Sequence, residues 1–211
     1  AQDYVDKLMG VVAEQNGWSA ASGTFETKRE KAESFISSSR PDFAILSLAA
    51  YLSFKTKHKL EAIGSAEVTG AGGRQYHVIS ATQGDLASCK GKTLAINLSD
   101  DWFVDNVVSG KDFDLADFEV VQTRRPMQTV KAVTRGEAEC ALVDDAQVGR
   151  LGKVDGGDAV KQVWSSAKLP PMVVVAFPSA SAGDKRSFAA SLKNVCSGDG
   201  KSVCAEVGLR R

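Results

Sequence analysis

Apolar residues recur at helical spacing over residues 3–15, where Tyr4, Val5, Leu8, Met9, Val11 and Val12 share one side. Asp3 stands in the cap position and Gly17 closes the segment. The pattern over 18–25 is extended and predicts a strand. Helical spacing returns over 26–38, with Ala32, Phe35 and Ile36 on the apolar side. Pro41-Asp42 interrupts it, and the apolar run 43–46 predicts a short buried strand ahead of a helix over 48–54. Extended stretches follow at 60–68 and 75–81, joined by the glycine-rich Thr69-Gly-Ala-Gly-Gly-Arg74.

From residue 93 the pattern repeats one unit of strand and helix. Strands are expected at 93–98, 118–122 and 140–143, alternating with helices at 101–109, 126–135 and 145–151. Pro126 sits in the first turn of its helix and Gly136 ends it. Strands at 160–164 and 172–177 and helices at 182–195 and 200–207 complete the chain. This alternation predicts parallel sheets covered on both faces. The expected organisation is two α/β lobes, 1–80 plus 177–211 and 81–176, with hinge crossings near 80–84 and 172–176.

Composition narrows the function classes. The 211 residues are 43% hydrophobic and 25% charged, which excludes collagen-like, low-complexity and largely disordered chains. Lys plus Arg equals Asp plus Glu at 26 each, so the basic excess of a duplex nucleic-acid binder is absent and no nucleic-acid partner is implied. No apolar run approaches the roughly 18 residues of a membrane span; the longest, 172–177, is strand-sized. The chain opens at Ala1 with no initiator Met, basic n-region or apolar h-region, which reads as a processed or trimmed product.

Catalytic motifs are scarce. Gly70-Ala-Gly-Gly73 lies between two expected strands rather than opening a helix, so it implies no dinucleotide cofactor. Gly91-Lys-Thr93 ends like a P-loop, but Leu86 occupies the place of the first glycine and a strand follows. Asp112-Phe-Asp114 lacks the glycine and glutamate that would complete a calcium loop. The two histidines, His58 among lysines and His77 on a strand, offer neither a triad nor a zinc site. No cofactor or metal is implied, and no nucleophile–base pair argues for an enzyme.

The four cysteines, Cys89, Cys140, Cys196 and Cys204, contain no C-x2-C pair. They read either as free thiols of a cytosolic protein or as two disulfides of an oxidising compartment. The polar turn Cys196-Ser-Gly-Asp-Gly-Lys-Ser-Val-Cys204 favours the second. Cys89 lies just before one expected strand and Cys140 opens another, so neighbouring parallel strands would bring the two together. The expected pairs are Cys89–Cys140 and Cys196–Cys204, which places the protein in the periplasm or outside the cell.

Four stretches resemble one family. They are Asp42-Phe-Ala-Ile-Leu-Ser-Leu-Ala-Ala-Tyr51; residues 75–81 followed by Asp85-Leu-Ala-Ser-Cys-Lys-Gly-Lys-Thr-Leu-Ala-Ile96; residues 127–144 with Ala132-Val-Thr-Arg-Gly-Glu-Ala138; and Pro170-Pro171 with its valine run and the terminal 198–208. In order and spacing they resemble periplasmic phosphonate-binding proteins, the type II solute-binding proteins of ABC transporters. The resemblance implies a two-lobed fold joined by two hinge crossings, which close on a solute. Family members begin with a strand ahead of the first helix, and that first strand of lobe 1 is missing here. Asp100 and Asp101 also stand where phosphonate binders place hydroxyl residues, so a dianionic ligand is not expected.

Ligands of open α/β sheets meet the carboxyl ends of strands. That rule selects Ser47 and Tyr51 from the first lobe, and Ser99, Asp100, Asp101, Trp102, Arg124, Arg125, Gln128, Asp144 and Asp145 from the second. Several of these are equally suited to capping the helix that follows. The mixture of Asp and Arg suggests a zwitterionic or amine-bearing solute. The leading expectation is a solute-binding protein serving an ABC transporter permease or a receptor. The alternative is a ligand-free interaction module of the same fold within a larger envelope or receptor protein, with the vacant strand position open to a partner strand.

Overall fold

Helix α1 (Gln2–Asn16) buries Leu8, Val12 and Ala13 on one side. It stops at Gly17, whose left-handed φ of 67° turns its N–H back onto the carbonyls of Ala13 and Glu14. The structure, a computed structural model, describes residues 1–205 and 207–210, with Arg210 by its backbone alone. The expected strand over 18–25 does not form. Its groups are taken instead by α1 and its surroundings. The Trp18 amide donates to Ala13 O, the Trp18 ring stacks on Phe43, and the Phe25 amide donates to the Gln2 side chain. Helix α2 (Arg29–Ser39), strand β1 (Phe43–Leu46), helix α3 (Leu48–Phe54) and strand β2 (Glu61–Val68) follow.

Strand β3 (Tyr76–Ser80) is buried along its whole length. After it come α4 (Leu86–Cys89), β4 (Thr93–Ile96) and α5 (Asp101–Phe103), which runs on as a π turn over Val104–Val108. Then come β5 (Glu119–Gln122), α6 (Pro126–Thr134), β6 (Cys140–Asp144), α7 (Asp145–Val148) and β7 (Lys161–Ser165). The sheet order is β5-β4-β6-β3-β7, with β5, β4 and β6 parallel and β3 antiparallel to both neighbours. Ile79, Ala95, Val130, Val133, Ala141 and Val143 form its core under α6.

Strand β8 (Met172–Ala176), α8 (Ala182–Val195), α9 (Gly200–Val203) and β9 (Val207–Arg210) complete the chain. The second sheet has the order β1-β8-β2-β9, and every pair in it is antiparallel. This corrects the expectation of parallel sheets, since β8 returns between β1 and β2 against both. It also corrects the expected helix over 200–207. The Cys196–Cys204 disulfide turns the chain, and Val207 then pairs with Val68 of β2. Leu8, Val12, Ala66, Val174, Leu192 and Val195 fill the space between this sheet and the helices α1 and α8. Among the described residues, no strand lies on the outer edge of β1.

Two compact units result, Ala1–Thr69 with the chain from Pro171 onward, and Gly70–Pro170. The divisions expected at 80/81 and 176/177 are displaced because β3 pairs with β6 and β7, whereas β8 pairs with β1 and β2. Both expected disulfides are present. Cys89 ends α4 and meets Cys140, which pairs with Leu94 of β4 at the start of β6.

Candidate functional site

Because β5, β4 and β6 run in one direction, their carboxyl ends open on one edge of the second unit's sheet. The chain leaves them at Asn97, Thr123 and Asp144. Beneath this edge lies a polar network. Thr123 and Thr129 share a hydrogen bond of 2.6 Å between their hydroxyls, and Thr129 donates to Asn97 Oδ1 at 3.0 Å. Gln147 Nε2 donates to the same oxygen at 3.1 Å and to the Pro126 carbonyl at 2.8 Å. Thr123, Thr129 and Gln147 are buried, so the network satisfies groups that water cannot reach and fixes the starts of α6 and α7 against the loop after β4.

That loop carries Ser99, Asp100, Asp101 and Trp102. Asp100 caps α5, its Oδ1 accepting from the Phe103 amide at 3.0 Å. Ser99 and Asp101 are exposed, and Trp102 is 58% exposed, unusual for an indole. The π turn that follows is braced by Asp105, whose Oδ1 accepts from the Leu115 amide at 2.8 Å. At the end of β5, Arg124 and Arg125 are exposed, and Gln128 Oε1 accepts from the Arg124 amide at 3.0 Å. Ser99, Asp101, Trp102, Arg124 and Gln128 therefore stand on one edge.

Asp144 is placed differently from a free ligand-binding acid. Its Oδ1 accepts from the Gln147 amide, capping α7, while Oδ2 accepts from the Gly73 amide at 3.1 Å. Asp145 Oδ1 accepts from the amides of Arg74 and Gln75. Burial raises the Asp144 carboxyl above its ordinary range, the neighbouring Asp145 charge adds to this, and the amide bonds partly offset both. The pair thus pins the glycine-rich entry into the unit. In the first unit, Ser47 caps α3 through the Ala50 amide, and Tyr51 packs with Ile36, Leu46 and Phe54.

Asn97, Thr123, Thr129 and Gln147 were not among the expected site residues. Asn97 and Thr123 follow directly on β4 and β5, so the same carboxyl-end rule reaches them, whereas Gln147 lies inside α7. Chemically, this edge offers an indole face and hydroxyl, carboxylate and guanidinium groups. Among the described residues, no group of His, Cys, Asp and Glu is arranged to hold a metal ion.

No protein-family model and no curated protein matches the chain. Solved structures match it over nearly its whole length, and they define the fold as that of type II periplasmic binding proteins. A Xanthomonas citri protein bound to ATP superposes at TM-score 0.76 with 12% identity, covering 99% of this chain and 86% of its own. The binding protein component of an ABC phosphonate transporter from Pseudomonas aeruginosa matches at TM-score 0.66 with 15% identity, covering 99% and 76%. An ancestral arginine-binding protein bound to arginine matches at TM-score 0.57 with 14% identity, covering 96% and 86%. At these identities the likeness is one of fold.

Proposed function

We infer that the protein is an extracytoplasmic solute-binding protein, which captures a small polar solute without chemical change and delivers it to an ABC transporter permease or a receptor. The observation that carries this reading is the edge formed by β4, β5 and β6, where exposed Trp102 and Arg124 stand over a satisfied polar network. The structures of like fold named above include a phosphonate-transporter component and an arginine-bound protein, which supports a small ligand without fixing which. Two buried-to-half-buried disulfides favour an oxidising compartment. No described helix is long and apolar enough to cross a membrane.

Trp102 would lie against an apolar or cationic part of the solute, and Arg124 would grip a carboxylate through its fork. Asp100 and Asp101 on the same edge favour an amine over a bare oxyanion. Asp144 serves such a site by holding the edge in place. A thermal-shift screen with amino acids, amines, phosphonates and oxyanions tests the reading. The ligand raises the melting temperature as RT ln(1 + [L]/Kd) requires. Trp102→Ala and Arg124→Ala then each weaken calorimetric affinity more than tenfold, about 1.4 kcal/mol, with folding retained. A screen without hits, or full affinity in both variants, overturns it. Among the described residues no strand pairs with the outer edge of β1, which favours the second reading, an interaction module that accepts a partner strand.

A further inference from the structure

The flank of α6 facing away from the polar network carries a cavity of about 240 Å³ in the second unit, lined by Met127, Lys131, Arg150, Lys153 and Val154. Met127 and Lys131 stand two positions either side of Thr129, which at 3.6 residues per turn sets them on the opposite side of the helix from it. Thr129 belongs to the carboxyl-edge network, so this cavity is a separate place.

Its lining is one-sided in charge. Three cations and no carboxylate border it, in a chain whose net charge is zero. Among the described residues, Lys131, Arg150 and Lys153 enter no ion pair and no side-chain hydrogen bond. Met127 and Val154 pack against the core of the unit and form an apolar floor along which lysine stems can lie. The two loop cations are held by successive turns, with the Arg150 amide donating to Gln147 O at 3.1 Å and the Lys153 amide to Arg150 O at 3.0 Å. An ordered backbone presenting unpaired cations over a concave apolar floor is suited to an anion.

The geometry points to a second binding site for a compact polyvalent oxyanion of the pyrophosphate or bisphosphate class. The cavity lies below the ~300–1,000 Å³ of drug-sized pockets, a size that suits a compact ligand. Arg150 supplies the planar fork and the lysines supply point charges. The inference is independent of which solute binds at the carboxyl edge.

Calorimetric titration of the intact protein with inorganic pyrophosphate at low ionic strength tests it. One site is expected, with affinity falling as salt is raised. Arg150→Gln and Lys131→Gln each weaken it about tenfold at unchanged melting temperature. Lys90→Gln, which removes a cation already paired with Asp117, leaves it unchanged. Absence of binding heat overturns the site, as does equal weakening by Lys90→Gln, which would mean diffuse attraction. Selective loss in Arg124→Gln overturns it too, by moving the anion to the carboxyl edge.

Discussion

The amide of Gly73 donates to Oδ2 of Asp144 at 3.1 Å, and the residue before it leaves that oxygen no room for a neighbour. A Cβ at Gly72 would fall 2.2 Å from the same oxygen, and Gly72 itself has φ +78°. Close approach and left-handed backbone both demand glycine here. Gly72→Ala is therefore expected to lower stability by about 2 kcal/mol, combining the backbone cost with displacement of a carboxylate that also caps α7. Urea denaturation measures it. In an Asp144→Ala background the cost of the same substitution shrinks, because only the backbone part remains.

The disulfides make a second prediction. Cys89 and Cys140 are 51 residues apart in sequence and fully buried, whereas Cys196 and Cys204 are 8 apart. The chain-entropy model assigns the longer loop about 4 kcal/mol and the shorter about 2 to 3 kcal/mol. Replacing each pair by alanine should reproduce that order in denaturant midpoints. Non-reducing peptide mapping checks the pairing directly.

Local pattern carried the elements whose fate is decided locally. The apolar run Phe43–Leu46, the helix Leu48–Phe54 capped by Ser47 and the helix Ala182–Val195 all stand where spacing and capping place them. Strand direction was not legible, because β8 lies between β1 and β2 through a return from the far end of the chain. Alternation of strand and helix describes neighbours in sequence, not this pairing. The strand Val207–Arg210 was hidden because β2, the strand it pairs with, lies far back in the chain. At the site, Trp102 and Arg124 followed from the carboxyl-end rule. The rule also reaches Asn97 and Thr123, but not their network with Thr129 and Gln147, which joins side chains from four separate positions that only the folded sheet brings together. Gly72 and Gly73 read as a failed cofactor motif until Asp144 supplied their reason.

That network predicts a third outcome. Thr129→Val keeps the shape of the side chain and removes the hydroxyl that links Thr123 to Asn97. Thr123 is then left buried without its partner, and a loss of about 1–3 kcal/mol is expected from the unsatisfied group. Thr129→Ser retains the hydroxyl and should recover most of that loss. Equal destabilisation by both would assign the cost to packing instead. Denaturant midpoints at constant slope separate the two.

His77 gives the pH dependence. It lies buried on β3, with Nδ1 2.8 Å from the Ser165 hydroxyl on β7. Burial lowers its pKa below the ordinary imidazole value, while the charges of Asp145 and Asp144 pull it part of the way back. The unfolded chain thus binds a proton more readily than the folded one in the window just below about pH 6.5. Stability from the neutral imidazole is present above that value and is lost as pH falls through the folded pKa. Both proteins compared keep every other titratable group, so the difference isolates His77 together with the Asp145 and Asp144 charges coupled to it. Wild type minus His77→Gln, measured by urea denaturation across about pH 5 to 7, should narrow as the solution is acidified. A flat difference would show that folding leaves the His77 pKa unshifted, and one that widens toward acid would show that His77 is held charged in the folded protein; either outcome overturns the assignment.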